Sequence, residues 1–170
     1  PAEQMVSPAA IVEQPVGLRA TIAAYVALTK PRIIELLLIT TVPAMVAAGR
    51  GWPGTWLVIN TLIGGTLSAA GANTLNSYHD RDIDALMHRT ARRPLAQHKI
   101  EPARAVVFGW LLGVVGFAWL WAFANLLSGV IATVALLFYV FVYTLALKRT
   151  TDQNIVIGGA AGAAPVLVGW

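Results

Sequence analysis

The 170-residue sequence contains no cysteine. It can therefore form no disulfide bond, no thiolate metal site and no cysteine nucleophile. Charged residues are also scarce, at 12% of the sequence, and no basic segment with interleaved aromatic side chains is present. The sequence therefore predicts no nucleic-acid-binding surface.

Hydrophobic residues are abundant instead, at 57% of the sequence, and the mean hydropathy is +0.68. This composition is typical of a protein embedded in a membrane. Residues 105–147 carry no charge, and a single helix of that length would be about twice as long as the hydrocarbon core is thick. They must therefore form a hairpin, which turns near Asn125. The sequence predicts an all-α, polytopic transmembrane helix bundle with spans at about 31–48, 55–76, 105–124, 126–147 and 154–170.

The ends of the predicted spans define the topology. Residues 1–18 are predicted to be a disordered cytoplasmic tail, and residues 19–170 to be the transmembrane domain, which opens with a short interfacial helix. Arg50 is the one basic residue on the other side of the membrane. The remaining eleven indicate a multi-pass protein of the inner (cytoplasmic) membrane with a cytoplasmic N-terminus. They are Arg19, Lys30, Arg32, Arg81, Arg89, Arg92, Arg93, Lys99, Arg104, Lys148 and Arg149.

Most of the remaining charge is concentrated in the segment 73–94, which holds three Asp, four Arg and two His. Asn76, Asp80 and Asp84 recur four residues apart and would share one face of a helix, whereas Asp82 would not. Two carboxylates about 6 Å apart repel by about 3 kcal/mol at an effective dielectric constant of about 20. A shielded site would therefore need a cation, and Mg²⁺ with oxygen ligands is the natural candidate.

Guanidinium groups follow the acidic residues closely. Arg93 comes nine residues after Asp84, and Arg89 and Arg92 are near it. Acids that hold Mg²⁺ beside guanidinium groups that bind phosphate oxygens indicate a diphosphate site. The alternative is an ordinary charged loop of a membrane protein, in which like charges one turn apart cost only a few tenths of a kcal/mol at a wet surface.

These motifs resemble a known family. NxxxDxxxD from Asn76 and RTxxRPL from Arg89 resemble the first aspartate motif of the UbiA-type intramembrane prenyltransferases. Ser77 stands where many members have Asp, and the haem O synthase (protohaem IX farnesyltransferase) branch commonly lacks that Asp. Three blocks are similar to that branch: ALTKPRIIELLLITTVPAM from Ala27, ANTLNSYHDRDID from Ala72 and LKRTTDQNIVIGGAAGAAPVLVGW from Leu147.

The resemblance implies a bundle of about nine transmembrane helices around a central cavity, of which this sequence holds about five, the N-terminal half. It implies transfer of the farnesyl group of farnesyl diphosphate to a vinyl group of haem b, giving haem O for terminal oxidase biogenesis. The expected partners are these two substrates, the lipid bilayer, and a terminal oxidase or haem A synthase. The family has a second acidic cluster in its later half, so the 170 residues alone are expected to be inactive.

The resemblance also assigns roles to residues. Asn76, Asp80 and Asp84 would be the catalytic residues and the Mg²⁺ ligands. The diphosphate would be bound by Arg89, Arg92, Arg93 and Lys148.

Other interpretations remain open. Tyr139 and Tyr143, on one face of the fourth predicted span, are interpreted as interfacial aromatic residues, and the lining of a cavity is the alternative. One alternative function is a UbiA-type prenyltransferase acting on an aromatic quinone precursor. The other is a non-enzymatic haem carrier or oxidase assembly factor, which gives the three aligned residues no reason to align.

Overall fold

A computed structural model describes residues 17–170. The prediction of an all-α bundle of membrane helices is confirmed, and the described residues contain no strand. Most of the predicted tail lies outside them, but Leu18 is already the first residue of a helix. The helices are α1 (Leu18–Thr29), α2 (Pro31–Ala48), α3 (Thr55–His79), α4 (Arg81–Leu86), α5 (Pro102–Phe123), α6 (Leu126–Leu137), a π-helix (Phe138–Leu147) and α7 (Asn154–Gly169).

Three of the described helices are long and apolar enough to cross a membrane: α2, α5, and α6 together with the π-helix. Helix α3 has 25 residues, but small and polar residues dominate its second half. Helix α7 has only 16 residues. That α3 and α7 also cross the membrane therefore stays a prediction. Proline begins both α2 and α5, because its missing N–H has no partner in the first turn of a helix.

Helix α3 lies at the centre of the bundle, where it contacts α1, α2, α5 and α6. Its small residues let the backbone of α5 approach closely. A Cβ atom at Gly71 would lie 2.7 Å from the carbonyl oxygen of Gly109, and one at Gly116 would lie 2.8 Å from the nitrogen of Ser68. Close backbone contact of this kind is typical of helix pairs in membranes. It holds the C-terminal half of α3 against α5.

The fourth predicted span is one helix with two geometries. After Leu137 the α-helix continues directly as a π-helix of ten residues. Here the backbone N–H of Lys148 donates to the carbonyl oxygen of Tyr143, five residues back, at 2.9 Å. The sequence pattern did not reveal this change. Because π-helical turns are rare and occur frequently at functional sites, its position beside α3 is informative.

The topology can be tested by labelling single cysteines in an otherwise cysteine-free chain. Trp52→Cys lies in the loop between α2 and α3, and Lys99→Cys in the loop before α5; both positions are exposed. We expect a membrane-impermeant maleimide to label the two variants from opposite faces of the membrane, because the charge distribution places these loops on opposite sides. Labelling of both from the same face would contradict the topology.

Candidate functional site

The three motif residues lie on consecutive helical turns across the short break between α3 and α4. The backbone N–H of Asp80 donates to the carbonyl oxygen of Asn76 at 3.0 Å, and that of Asp84 to the carbonyl oxygen of Asp80 at 2.8 Å. Helical hydrogen bonding therefore passes through the break. All three residues are buried, with exposed fractions of 3%, 2% and 4%, whereas Asp82 is exposed. The two motif carboxylates are thus removed from water.

Each buried carboxylate has a basic partner from another segment. The Nζ of Lys148, at the end of the π-helix, lies 2.5 Å from Oδ2 of Asp80. A guanidinium nitrogen of Arg93 donates to both oxygens of Asp84, at 2.7 and 2.9 Å. A carboxylate away from water is costly unless it is paired and hydrogen-bonded. The two ion pairs therefore stabilise the buried acids and bring predicted diphosphate-binding residues to them.

Lys30 is a third cation at the site. Its place in the sequence predicted only the membrane topology. It lies between α1 and α2, and its Nζ is 2.5 Å from Oδ1 of Asn76. Its φ of 54° is left-handed, a conformation that costs a non-glycine residue about 1–3 kcal/mol and is found disproportionately at functional sites. Asn73 secures this turn, because its amide donates to the carbonyl oxygen of Thr29 at 2.8 Å.

Burial lowers the pKa of Lys30 from its ordinary value of 10.5 to about 8, and the positive charge of Arg93 acts in the same direction. Asp80 and Asp84 act in the opposite direction. The lysine still carries most of its charge near neutral pH. A signal for it was available in the sequence, since Lys30 directly precedes the proline that begins the first span, on the same side of the membrane as the motif.

Arg89 and Arg92 are placed differently from Arg93. Both are exposed, and neither forms an ion pair with the described acidic residues. The loop after α4 turns back at Thr90, whose buried hydroxyl donates to the carbonyl oxygen of Asp84 at 3.2 Å. This turn brings Arg93 alone, of the three arginines, onto Asp84.

The oxygen atoms of the motif fit a hard divalent cation. Oδ1 of Asp80 is buried and has no hydrogen-bond partner among the described residues. A buried oxygen without a donor is a natural ligand for a metal ion, and Mg²⁺ takes oxygen ligands from carboxylates and amides. The described residues contain no group of three His, Asp or Glu side chains spaced to hold a metal. A cation would therefore use two carboxylates and the amide oxygen of Asn76.

An apolar cavity of about 290 Å³ lies next to the polar residues, between α2, α3, α6, the π-helix and α7. Asn73, which lines it, lies three residues before Asn76 on α3, and Tyr143, which also lines it, lies five residues before Lys148. The rings of Tyr139 and Tyr143 stack with centroids 5.2 Å apart and also line the cavity. Both rings therefore support the alternative that the sequence left open, the lining of a cavity.

A third ion pair lies on the outer side of the site. The guanidinium of Arg149 donates to both carboxylate oxygens of Asp82, at 2.8 and 3.0 Å, and to the carbonyl oxygen of His79 at 2.9 Å. The hydrogen bond from Arg149 lowers the pKa of the Asp82 carboxyl. These hydrogen bonds of Arg149 join the end of the π-helix to the break between α3 and α4.

The two ion pairs of the loop should differ in their contribution to stability. We expect Asp84→Asn to lower the free energy of unfolding by about 1–3 kcal/mol, because it removes the charge that pairs with the half-buried Arg93. The matched control, Asp82→Asn, should cost less than about 1 kcal/mol because that pair is exposed. Reversible unfolding by SDS in mixed micelles measures both values. Equal losses would mean that burial does not distinguish the two carboxylates.

Comparison with known proteins places these residues in context. The family model described as "UbiA prenyltransferase family" matches residues 37–170. "Protoheme IX farnesyltransferase" of Mycobacteroides abscessus is 61% identical over 150 residues, which cover 88% of this chain and 48% of the relative. "Protoheme IX farnesyltransferase" of Clavibacter michiganensis is 56% identical over 155 residues, which cover 91% of this chain and 51% of the relative.

A third relative, "Protoheme IX farnesyltransferase 2" of Saccharopolyspora erythraea, is 60% identical over 147 residues, or 86% of this chain and 45% of the relative. The chain thus spans about half the length of the curated relatives it matches. No solved structure matches it.

Proposed function

The chain belongs to the UbiA prenyltransferase family, and from this premise we propose that it serves the transfer of the farnesyl group of farnesyl diphosphate to a vinyl group of haem b, giving haem O. The names of its relatives support this acceptor. One observation supports the chemistry most directly. Three cationic side chains converge on the buried motif residues, next to an apolar cavity inside the bundle.

The charges of the site suit an anionic substrate. Lys30, Arg93 and Lys148 contribute three positive charges, and Asp80 and Asp84 contribute two negative ones. One positive charge is left over in a site with little water. A diphosphate accompanied by a divalent cation brings a net negative charge, which this excess would compensate. Arg93 presents a planar fork to phosphate oxygens, whereas the two lysines act as point charges.

Asn76, Asp80 and Asp84 would hold Mg²⁺, with the unpartnered Oδ1 of Asp80 as one of the ligands. When bound, the metal would neutralise charge that develops on the leaving diphosphate. The side chains do the rest. Lys30, Arg93 and Lys148 bind and orient the diphosphate, and fixed positive groups of this kind stabilise a developing anion in the transition state. We propose Arg89 and Arg92 as weaker, outer contacts, because they are exposed.

The cavity would receive the farnesyl chain. Cleavage of an allylic diphosphate produces a carbocation that must be kept from water. The cavity walls are largely aliphatic, and the stacked rings of Tyr139 and Tyr143 line them. Aromatic faces attract cations within about 6 Å of the ring centroid. These two rings therefore stabilise the carbocation while the aliphatic walls exclude water.

The setting of the reaction follows from the same features. The protein is a multi-pass membrane protein. We place it in the inner (cytoplasmic) membrane, with the N-terminus and the motif on the cytoplasmic side, because eleven of the twelve basic residues lie there. Its product would be used by a terminal oxidase, directly or through haem A synthase.

The function is tested by incubating membranes that carry these residues, together with the later half that a curated relative supplies, with labelled farnesyl diphosphate, Mg²⁺ and haem b, followed by mass analysis of the product. We expect haem O. Asp80→Asn and Asp84→Asn should each lower the rate by about 100-fold or more, because each removes a group that holds charge in the transition state.

Asp82→Asn is the matched control, and it should keep most of the activity. Excess chelator should abolish the activity of the unaltered protein. Labelling of an aromatic quinone precursor in place of haem would favour the alternative acceptor. The absence of any labelled product would favour a non-enzymatic role.

Arg93 should affect the KM for farnesyl diphosphate more than the KM for haem b. We expect Arg93→Ala to raise the KM for farnesyl diphosphate about tenfold or more, because it removes hydrogen bonds to a charged group. Its KM for haem b should change little. Arg93→Lys should restore only part of the loss. Arg89→Ala and Arg92→Ala serve as matched controls with smaller effects, and equal losses for both substrates in Arg93→Ala would indicate a disordered loop instead.

A further inference from the structure

Thr144, in the π-helix, contacts the motif but belongs to none of the groups described so far. It is buried, with an exposed fraction of 2%. Its hydroxyl donates to the carbonyl oxygen of Tyr139, five residues back, at 2.8 Å. The Nδ2 of Asn76 donates to the same hydroxyl oxygen at 3.2 Å. The π-helix and the motif are therefore joined by one buried hydrogen-bond chain.

The direction of this chain is fixed at both ends. A lysine ammonium can only donate, so Lys30 must face the oxygen of the Asn76 amide. The Thr144 hydroxyl donates its one proton to the carbonyl oxygen of Tyr139, so it can only accept from Asn76. Each donor thus meets an acceptor, and the amide oxygen of Asn76 faces the site. With the amide reversed, two NH₂ protons would meet the ammonium, and two acceptors would meet at Thr144.

The π-helical geometry directs the Thr144 hydroxyl to the carbonyl oxygen of Tyr139 and leaves its oxygen in contact with Asn76. In the α-helical part of the same span, the hydroxyl of Thr133 donates to the carbonyl oxygen of Gly129, four residues back, at 2.9 Å. Threonine in a helix usually bonds in that manner. Thr144 reaches five residues back instead, while its oxygen contacts Asn76. The rare helical geometry and the buried contact are two separate observations that support the same role.

We propose that Thr144 is a positioning residue that holds the Asn76 amide with its oxygen directed into the diphosphate site. An amide offers an acceptor at one end only, whereas a carboxylate offers acceptors at both. Asn76 therefore needs a partner that fixes its orientation, and Asp80 and Asp84 do not. Because this role depends on the proposed diphosphate site, its test must separate the two hypotheses.

The protein in nanodiscs is titrated with inorganic pyrophosphate in excess Mg²⁺, and the Kd is measured by isothermal titration calorimetry. This measurement requires no turnover. Thr144→Val keeps the shape of the side chain and removes the hydroxyl. We expect it to raise the Kd about tenfold, the usual effect of losing a group that orients a ligand residue. Thr144→Ser retains the hydroxyl and should keep most of the affinity.

The decisive comparison uses Asn76→Asp. In that background Thr144→Val should change the Kd by less than about threefold, because a carboxylate needs no orientation and the two positions would no longer be coupled. Val140→Ala, one turn earlier on the same buried face, controls for lost packing and should bind normally. If Thr144→Val does not fold in nanodiscs, Thr144→Ala takes its place in the same comparison.

An unchanged Kd in Thr144→Val would overturn the role of Thr144 and leave the proposed function intact. A loss of the same size in the Asn76→Asp background, or in Val140→Ala, would also overturn it, because the effect would then be one of packing. If the unaltered protein does not bind magnesium pyrophosphate, the proposed function and the role of Thr144 both fail.

Discussion

Two carboxylates buried one turn apart are the constraint on which the rest of this structure depends. Asp80 and Asp84 lie at the end of α3 and are buried, and a buried carboxylate is costly unless a cation pairs with it. The loop after α4 folds back so that Arg93 reaches Asp84, and the end of the π-helix brings Lys148 to Asp80. Two segments far apart in the chain are thus held in place by the same two acids.

The membrane bundle provides the conditions for this arrangement. Glycine in α3 and α5 brings the two backbones into contact, so the end of α3 that carries the motif is held rigidly. Gly158 of α7 makes room for the ring of Tyr143, because a methyl group there would overlap it. The ring of Tyr143 therefore packs against α7 and lines the cavity. Small residues at two helix contacts thus hold α3 against α5 and leave room for the ring of Tyr143.

The sequence predicts the features that depend on local spacing and misses those that depend on distant contacts. The shared face of Asn76, Asp80 and Asp84 follows from residues four apart, and the helices follow from uncharged runs. Lys30 lies 46 residues from its partner Asn76, and no periodicity connects them. The π-helix was missed because its apolar sequence is equally compatible with an α-helix. Which of the two roles Tyr139 and Tyr143 have depends likewise on their contacts with other helices, which the sequence does not show.

The ion pairs of the site would also ease the binding of the diphosphate proposed above. Desolvation of a charge is the main cost of placing it in an apolar environment. Here the side chains of Arg93 and Lys148 are partly buried, with exposed fractions of 33% and 31%, and Asp84 and Asp80 hold them in position. A diphosphate with its cation would exchange partners with these pairs, the carboxylates turning to the metal and the cations to phosphate oxygens. Part of the desolvation free energy of the protein's charges is therefore lost when the chain folds. Binding of the diphosphate would then exchange one set of oppositely charged pairs for another.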